Sequence, residues 1–105
     1  MVIVENPTYS RVVWEGDLIE APVTRLQYGK VSFRPIMIHV TYDYEDGQWI
    51  ASNAKIIGPQ HKKDGTDGTD FRDNSYYMPL QRLDDTPDWV RTIALTNIPK
   101  EVISS

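Results

Sequence analysis

His39 and His61 are the two histidines of this 105-residue chain, and metal binding or acid–base work is the chemistry they would offer. Neither stands at a recognised ligand spacing. With no cysteine in the sequence, every cysteine-based zinc or iron–sulfur set is excluded as well. Both therefore read as satisfied or solvated histidines. A second source of ligands is the run Asp64-Gly65-Thr66-Asp67-Gly68-Thr69-Asp70, where carboxylates recur every third residue, as a calcium loop might use them. The spacing is not that of an EF-hand and the distal bidentate glutamate is missing, so a solvated hairpin tip is expected. Lys62-Lys63 beside it would suit a phosphate, but Asp64, Asp67, Asp70 and Asp73 largely cancel that charge. Asp43, Glu45 and Asp46 crowd a turn tip, where water rather than burial surrounds them and nothing tunes them for acid–base work. Ser10, Ser32, Ser52 and Ser75 lie in no nucleophile-elbow context, and no glycine-rich stretch opens a helix to cradle phosphate. No catalytic, metal or cofactor site is expected, and no enzyme.

The aromatic residues are more suggestive. Six tyrosines and three tryptophans include Tyr42, Tyr44 and Trp49 around one turn and the pair Tyr76-Tyr77. Aromatic strands anchor protein partners or stack bases, yet a small sheet also needs large side chains for its core. Adjacent residues on a strand point to opposite faces, so one of Tyr76 and Tyr77 is expected at the surface.

The elements that must position these groups are mostly strands. From Pro35 to Gly58, Ile36, Ile38, Val40, Tyr42 and Tyr44 alternate with Met37, His39, Thr41 and Asp43, and Trp49 to Ile57 follows Asp46-Gly47. Asp-Gly suits a two-residue type I′ turn, which places Tyr44 opposite Trp49 and Ile36 opposite Ile57. One face of this hairpin is mostly apolar; the other carries Met37, His39, Thr41, Asp43, Ser52 and Ala54.

Upstream, Met1 to Val4 reads as an edge strand ended by Asn6-Pro7. Tyr9 to Trp14, a turn at Glu15-Gly16-Asp17 and a return over Leu18 to Ala21 read as a second hairpin. Val23 to Tyr28 and Val31 to Phe33 read as short extended pieces around Gly29-Lys30. Downstream, Gly58-Pro59 ends or bends the central strand, residues 62–70 form a mobile loop, and Phe71 to Leu80 returns as a strand that Pro79 closes. Thr86 suits a helix N-cap, Pro87 the first helical position and Asp88 the first turn, giving a helix over 87–96. Its stripe of Trp89, Val90, Ile93, Ala94 and Asn97 would dock on the sheet, with Trp89 and Ile93 as the main anchors and Arg91, Thr92 and Thr96 facing water.

Composition agrees with one folded domain. The hydrophobic share of 40% and charged share of 25% are globular values, and the net charge of −4 disfavours a nonspecific grip on nucleic acid. The first residues carry neither the basic region nor the apolar run of a signal peptide, and no apolar run would span a bilayer, so the cytoplasm is the expected compartment. The expected fold is α+β: a mainly antiparallel twisted sheet of five or more short strands with one C-terminal helix packed on it, in a single domain over 1–105.

Tyr44-Glu45-Asp46-Gly47-Gln48-Trp49, then Gly58, Lys62-Lys63-Asp64-Gly65, Gly68, Pro87-Asp88-Trp89-Val90 and Pro99, give the stretch from Val31 to Pro99 a resemblance. It resembles a family of small, uncharacterised accessory proteins of actinobacteria and their bacteriophages. The resemblance implies a phage or mobile-element accessory protein that binds a host or phage protein, and it supplies no functional residues. On the residues themselves, Tyr42, Tyr77 and the loop aspartates Asp64, Asp67 and Asp70 are the candidate partner contacts. The alternative is a β module that binds nucleic acid or a small ligand through Tyr76, Tyr77, Lys62, Lys63 and Arg72; a third class is an inert virion component.

Overall fold

The computed structural model describes residues 2–5, of which the backbone, together with 11–26, 31–78 and 86–99. The fold is α+β. Its strands are β1 (Val2–Glu5), β2 (Arg11–Asp17), β3 (Thr24–Arg25), β4 (Ser32–Phe33), β5 (Met37–Glu45), β6 (Gln48–His61) and β7 (Asp67–Tyr77), followed by the helix α1 (Asp88–Thr96). They form one seven-stranded sheet in the order β1-β2-β5-β6-β4-β3, with β7 also paired to β6. The pairs β1/β2, β3/β4 and β4/β6 are antiparallel. Contacts gather into two compact units, the first from Met1–Glu15, His39–Ala54 and Tyr76–Ser105, the second from Gly16–Ile38 and Lys55–Ser75.

The first unit is built on the Asp46-Gly47 turn. Asp46 (φ +49°) and Gly47 (φ +84°) both take positive φ, as a type I′ turn requires and as Asp-Gly tolerates best. The turn brings Tyr44 against Trp49, ring centroids 5.2 Å apart and planes tilted by 58°. Val40 and Tyr42 are fully buried, with Val12 of β2, Trp49 and Ala54 of β6 and Tyr76 of β7 also in this core.

The helix α1 is nine residues long, too short to hold in water without tertiary contacts. Val90 and Ala94, one turn apart, are its fully buried residues. Trp89 and Ile93 stand half-exposed beside them, so the packing stripe is centred one residue later than the sequence pattern suggested. Two carbonyls of the last turn find donors there. Ile93 O accepts from the Asn97 backbone N–H (3.2 Å) and side-chain amide (2.8 Å), while the buried Tyr42 hydroxyl donates to Ala94 O at 2.6 Å. At the other end the expected Thr86 cap is corrected. Pro87, extended at φ −56° and ψ 141°, occupies the cap position without a side-chain hydrogen bond, and Thr86 is buried behind it, with its carbonyl accepting from Arg91 (3.4 Å).

The second unit turns on Gly58. A Cβ there would fall on the carbonyl oxygen of Arg34, with the Arg34 carbonyl carbon at 2.6 Å and the Pro35 Cα at 2.9 Å. Arg34 N–H donates to Pro59 O (2.9 Å) and Ile36 N–H to Ile57 O (2.8 Å), on either side of a proline that has no N–H to place. β6 therefore runs on through Gly58-Pro59, residues expected to end or bend it, and serves β5 and then β4. Phe33, Pro35, Ile38 and Ile56 fill this core.

Two further expectations are corrected. Glu15-Gly16-Asp17 is no turn: β2 runs through it, because Gly16 does not take positive φ and the next amide, Leu18 N–H, reaches Ile36 O (2.9 Å). The partners of β2 are β1 and β5, and residues 18–21 form no strand. Of the loop over 62–70, only 62–66 forms a turn, since β7 starts at Asp67. Gly65 at φ +89° and the bonds Lys62 N–H to Thr66 O (2.8 Å) and Gly65 N–H to Lys62 O (3.0 Å) close it tightly. Leu26 N–H to Val31 O (2.8 Å) joins β3 to β4; the Gly29-Lys30 turn, Asn6-Pro7, the strand start at Tyr9-Ser10 and the Pro79 stop lie outside the described residues.

Gly58→Ala should cost on the order of 3 kcal/mol, because backbone rather than a flexible side chain must move. Gly65→Ala, which meets open space and only the left-handed backbone penalty, should cost about 1 kcal/mol. Urea unfolding of the two variants checks the ranking.

Candidate functional site

Among the described residues, each unit carries a groove of about 330 Å³. In the first unit, Trp49, Ile50 and Ala51 at the start of β6, Met78 just past β7, and Leu95 and Ile98 of the helix end line it, with Gln48 and Arg91 at its polar margin. Met78 is fixed there by its N–H bond to Ser52 O (3.1 Å). Arg91 is held by Asp88 (3.8 Å) and the Thr86 carbonyl. Leu95 is 56% exposed, and Tyr77, next to Met78 in the chain, is 53% exposed. Burying apolar surface is what such a wall can do; it offers no nucleophile beside a base.

In the second unit, Val23, Val31, Ser32, Gln60, His61, Lys62 and Lys63 line the groove. Ser32 lies directly opposite His61 in the β4/β6 ladder. The aspartates nearby are engaged elsewhere. Asp67 accepts from Arg34 Nε (2.9 Å) and Nη2 (2.6 Å) and stands 3.6 Å from His61 Nδ1, a buried atom with no hydrogen bond. The Arg34 bonds hold the Asp67 carboxyl below the usual carboxylate range, and Asp67 in turn raises the Arg34 guanidinium. Asp64 accepts from Thr66 N–H (2.9 Å) and hydroxyl (2.6 Å), which lowers it likewise. Asp70 is exposed on β7, with Arg72 at 4.0 Å.

The candidate contacts thus separate. Tyr77 is at the surface, as one of the Tyr76-Tyr77 pair was expected to be, and Tyr76 is 7% exposed. Tyr42 is corrected: it is fully buried, its phenol pushed well above the ordinary tyrosine range by desolvation, and it presents no surface to a partner. Asp64, in the 62–66 turn, and Asp67, at the start of β7, are exposed and bonded to Thr66 and Arg34. His39 Nε2 lies 3.8 Å from a carboxylate oxygen of Glu15 on β2. Asp43 accepts from Arg11 Nε at 2.7 Å, which holds its carboxyl below the usual range despite partial burial. Leu95, Met78 and Ile50 were missed by sequence reasoning; Leu95 could have been found, as an apolar residue that the helix stripe leaves out.

Among the described residues, no group of three or more His, Cys, Asp or Glu is arranged to hold a metal ion, and no helix is long and apolar enough to cross a membrane. Compared with known proteins, the chain matches no protein-family model, no curated protein and no solved structure.

Because Asp43 and Asp67 have folded-state pKa values below their unfolded ones, their ion pairs stabilise the fold fully above the ordinary carboxylate pKa of 3.8. That stabilisation is lost as pH falls through the lowered folded-state values. Urea midpoints measured between about pH 2 and pH 6 should fall on acidification, and fall less steeply in an Arg11→Ala, Arg34→Ala double variant.

Proposed function

We propose that the chain is a non-enzymatic accessory protein that binds a host or phage protein in the host cytoplasm, using the apolar groove of its first unit. The observation that carries this reading is the exposure of Leu95 at a groove walled by Trp49, Ile50, Met78 and Ile98, with Tyr77 exposed beside Met78. Large apolar side chains left at a concave surface are the usual anchors of a protein interface, and an aromatic neighbour strengthens such a site. The partner would seat an apolar side chain against Trp49 and Leu95.

The nucleic-acid alternative has less to work with. Tyr76 is in the core and cannot stack on a base, Arg72 faces Gln60 (3.5 Å) and Asp70, and the net charge is −4. A steep loss of binding with salt would mark it.

Affinity capture from host lysate, at low and high salt and after nuclease, tests the proposal with Leu95→Asp and Tyr77→Ala beside the wild type. One protein should stay bound at high salt, with retention reduced about a hundredfold by Leu95→Asp and about tenfold by Tyr77→Ala. Equal retention by Leu95→Asp, or recovery of nucleic acid alone at low salt, would overturn it.

A further inference from the structure

We infer that the groove of the second unit binds a small amphiphilic carboxylate, a short acyl chain ending in one anionic head group. The inference is independent of the protein interface proposed for the first unit. Its basis is the mixed chemistry of the groove lining. Val23, 47% exposed, and Val31 are its apolar residues, and Ser32, Gln60, His61, Lys62 and Lys63 its polar ones. No carboxylate stands on that lining, and Lys62 and Lys63 on it are cationic, in a chain whose net charge is −4.

One acidic neighbour, Asp67, stands 3.6 Å from His61 Nδ1, so the cationic part of the groove is Lys62 and Lys63. Asp67 is occupied by two Arg34 nitrogens and Asp64 by the amide and hydroxyl of Thr66, and neither lines the groove. Lys62 and Lys63 form no ion pair among the described residues and are exposed. Two ammonium groups and the Ser32 hydroxyl can therefore donate to a carboxylate without breaking an existing bond. The scaffold is set by backbone. Ser32 and His61 are direct cross-strand partners, so their side chains share one face, and the hydrogen bond from Leu26 N–H to Val31 O fixes Val31 just before β4. A volume of about 330 Å³ lies at the lower end for ligand sites and suits a short chain rather than a nucleotide.

The test is a titration of the full-length protein at constant ionic strength, followed by amide NMR, with hexanoate as the probe and hexanol, acetate and inorganic phosphate as comparisons. Hexanoate should shift the amides of Val31, Ser32, His61, Lys62 and Lys63 saturably and bind more tightly than any of the three comparisons. A Lys62→Gln, Lys63→Gln variant, altered only at exposed side chains, should bind hexanoate about tenfold more weakly. Absence of saturable shifts, hexanol binding as well as hexanoate, phosphate or acetate binding as well as hexanoate, or an unchanged affinity in the variant would each overturn the inference.

Discussion

The backbone of Arg34-Pro35 lies against Gly58 so closely that no side chain fits between them, and the second unit is arranged around that contact. An antiparallel ladder through this point faces two difficulties: Pro35 has no N–H, and its fully buried ring must fill space beside the strand. Gly58 removes the steric one by having no Cβ. Pro59 O and Ile57 O meet the N–H groups on either side of the proline, so buried backbone is not left unpaired. Ile36 also uses its carbonyl, accepting from Leu18, which ties the end of β2 to the same place. Because β6 passes this point intact, its last residues can pair with β4, and that pairing sets Ser32 opposite His61. The polar wall of the groove is thus a consequence of a glycine two residues before Gln60.

The first unit answers a different problem, a short helix with unsatisfied ends. Val90 and Ala94 supply burial, and the Tyr42 hydroxyl, sent from the middle of a strand, accepts the role of donor to a last-turn carbonyl. One tyrosine therefore joins sheet and helix by both its ring and its polar tip. This leaves Leu95, next along the helix from Ala94, facing away from the buried stripe, and it is this displacement that makes the apolar groove.

The Asp46-Gly47 hairpin was legible because turn chemistry and period-two alternation agree there, and the positive φ values bear out the turn. The helix was legible from Pro87 and Asp88, but its cap was not: Thr86 has the right side chain, yet it is drawn into the core. Glu15-Gly16 misled because glycine permits a turn without requiring one, and the extended path is kept by a distant bond, Leu18 N–H to Ile36 O. The acidic repeat misled through its lack of apolar residues. Its order comes instead from Asp64 bonding Thr66, Arg34 bonding Asp67 and the pairing of β7 with β6, none of which burial patterns report. Tyr42 shows the limit for sites, since the same aromatic residue serves a core or an interface and only the helix above it decides. The grooves were invisible because Val23, Ser32 and His61, or Ile50, Met78 and Leu95, come together only through folding.

Native-state hydrogen exchange at the amides of Arg34 and Ile36 tests this account most directly. If the chain rests on Gly58 with those two N–H groups bonded to Pro59 O and Ile57 O, both should exchange as slowly as the fully buried centre of β5 around Val40. Exchange of either at the rate of the exposed Lys63-Asp64 turn would contradict it, and would mean that β4 and β5 are not held on one continuous β6.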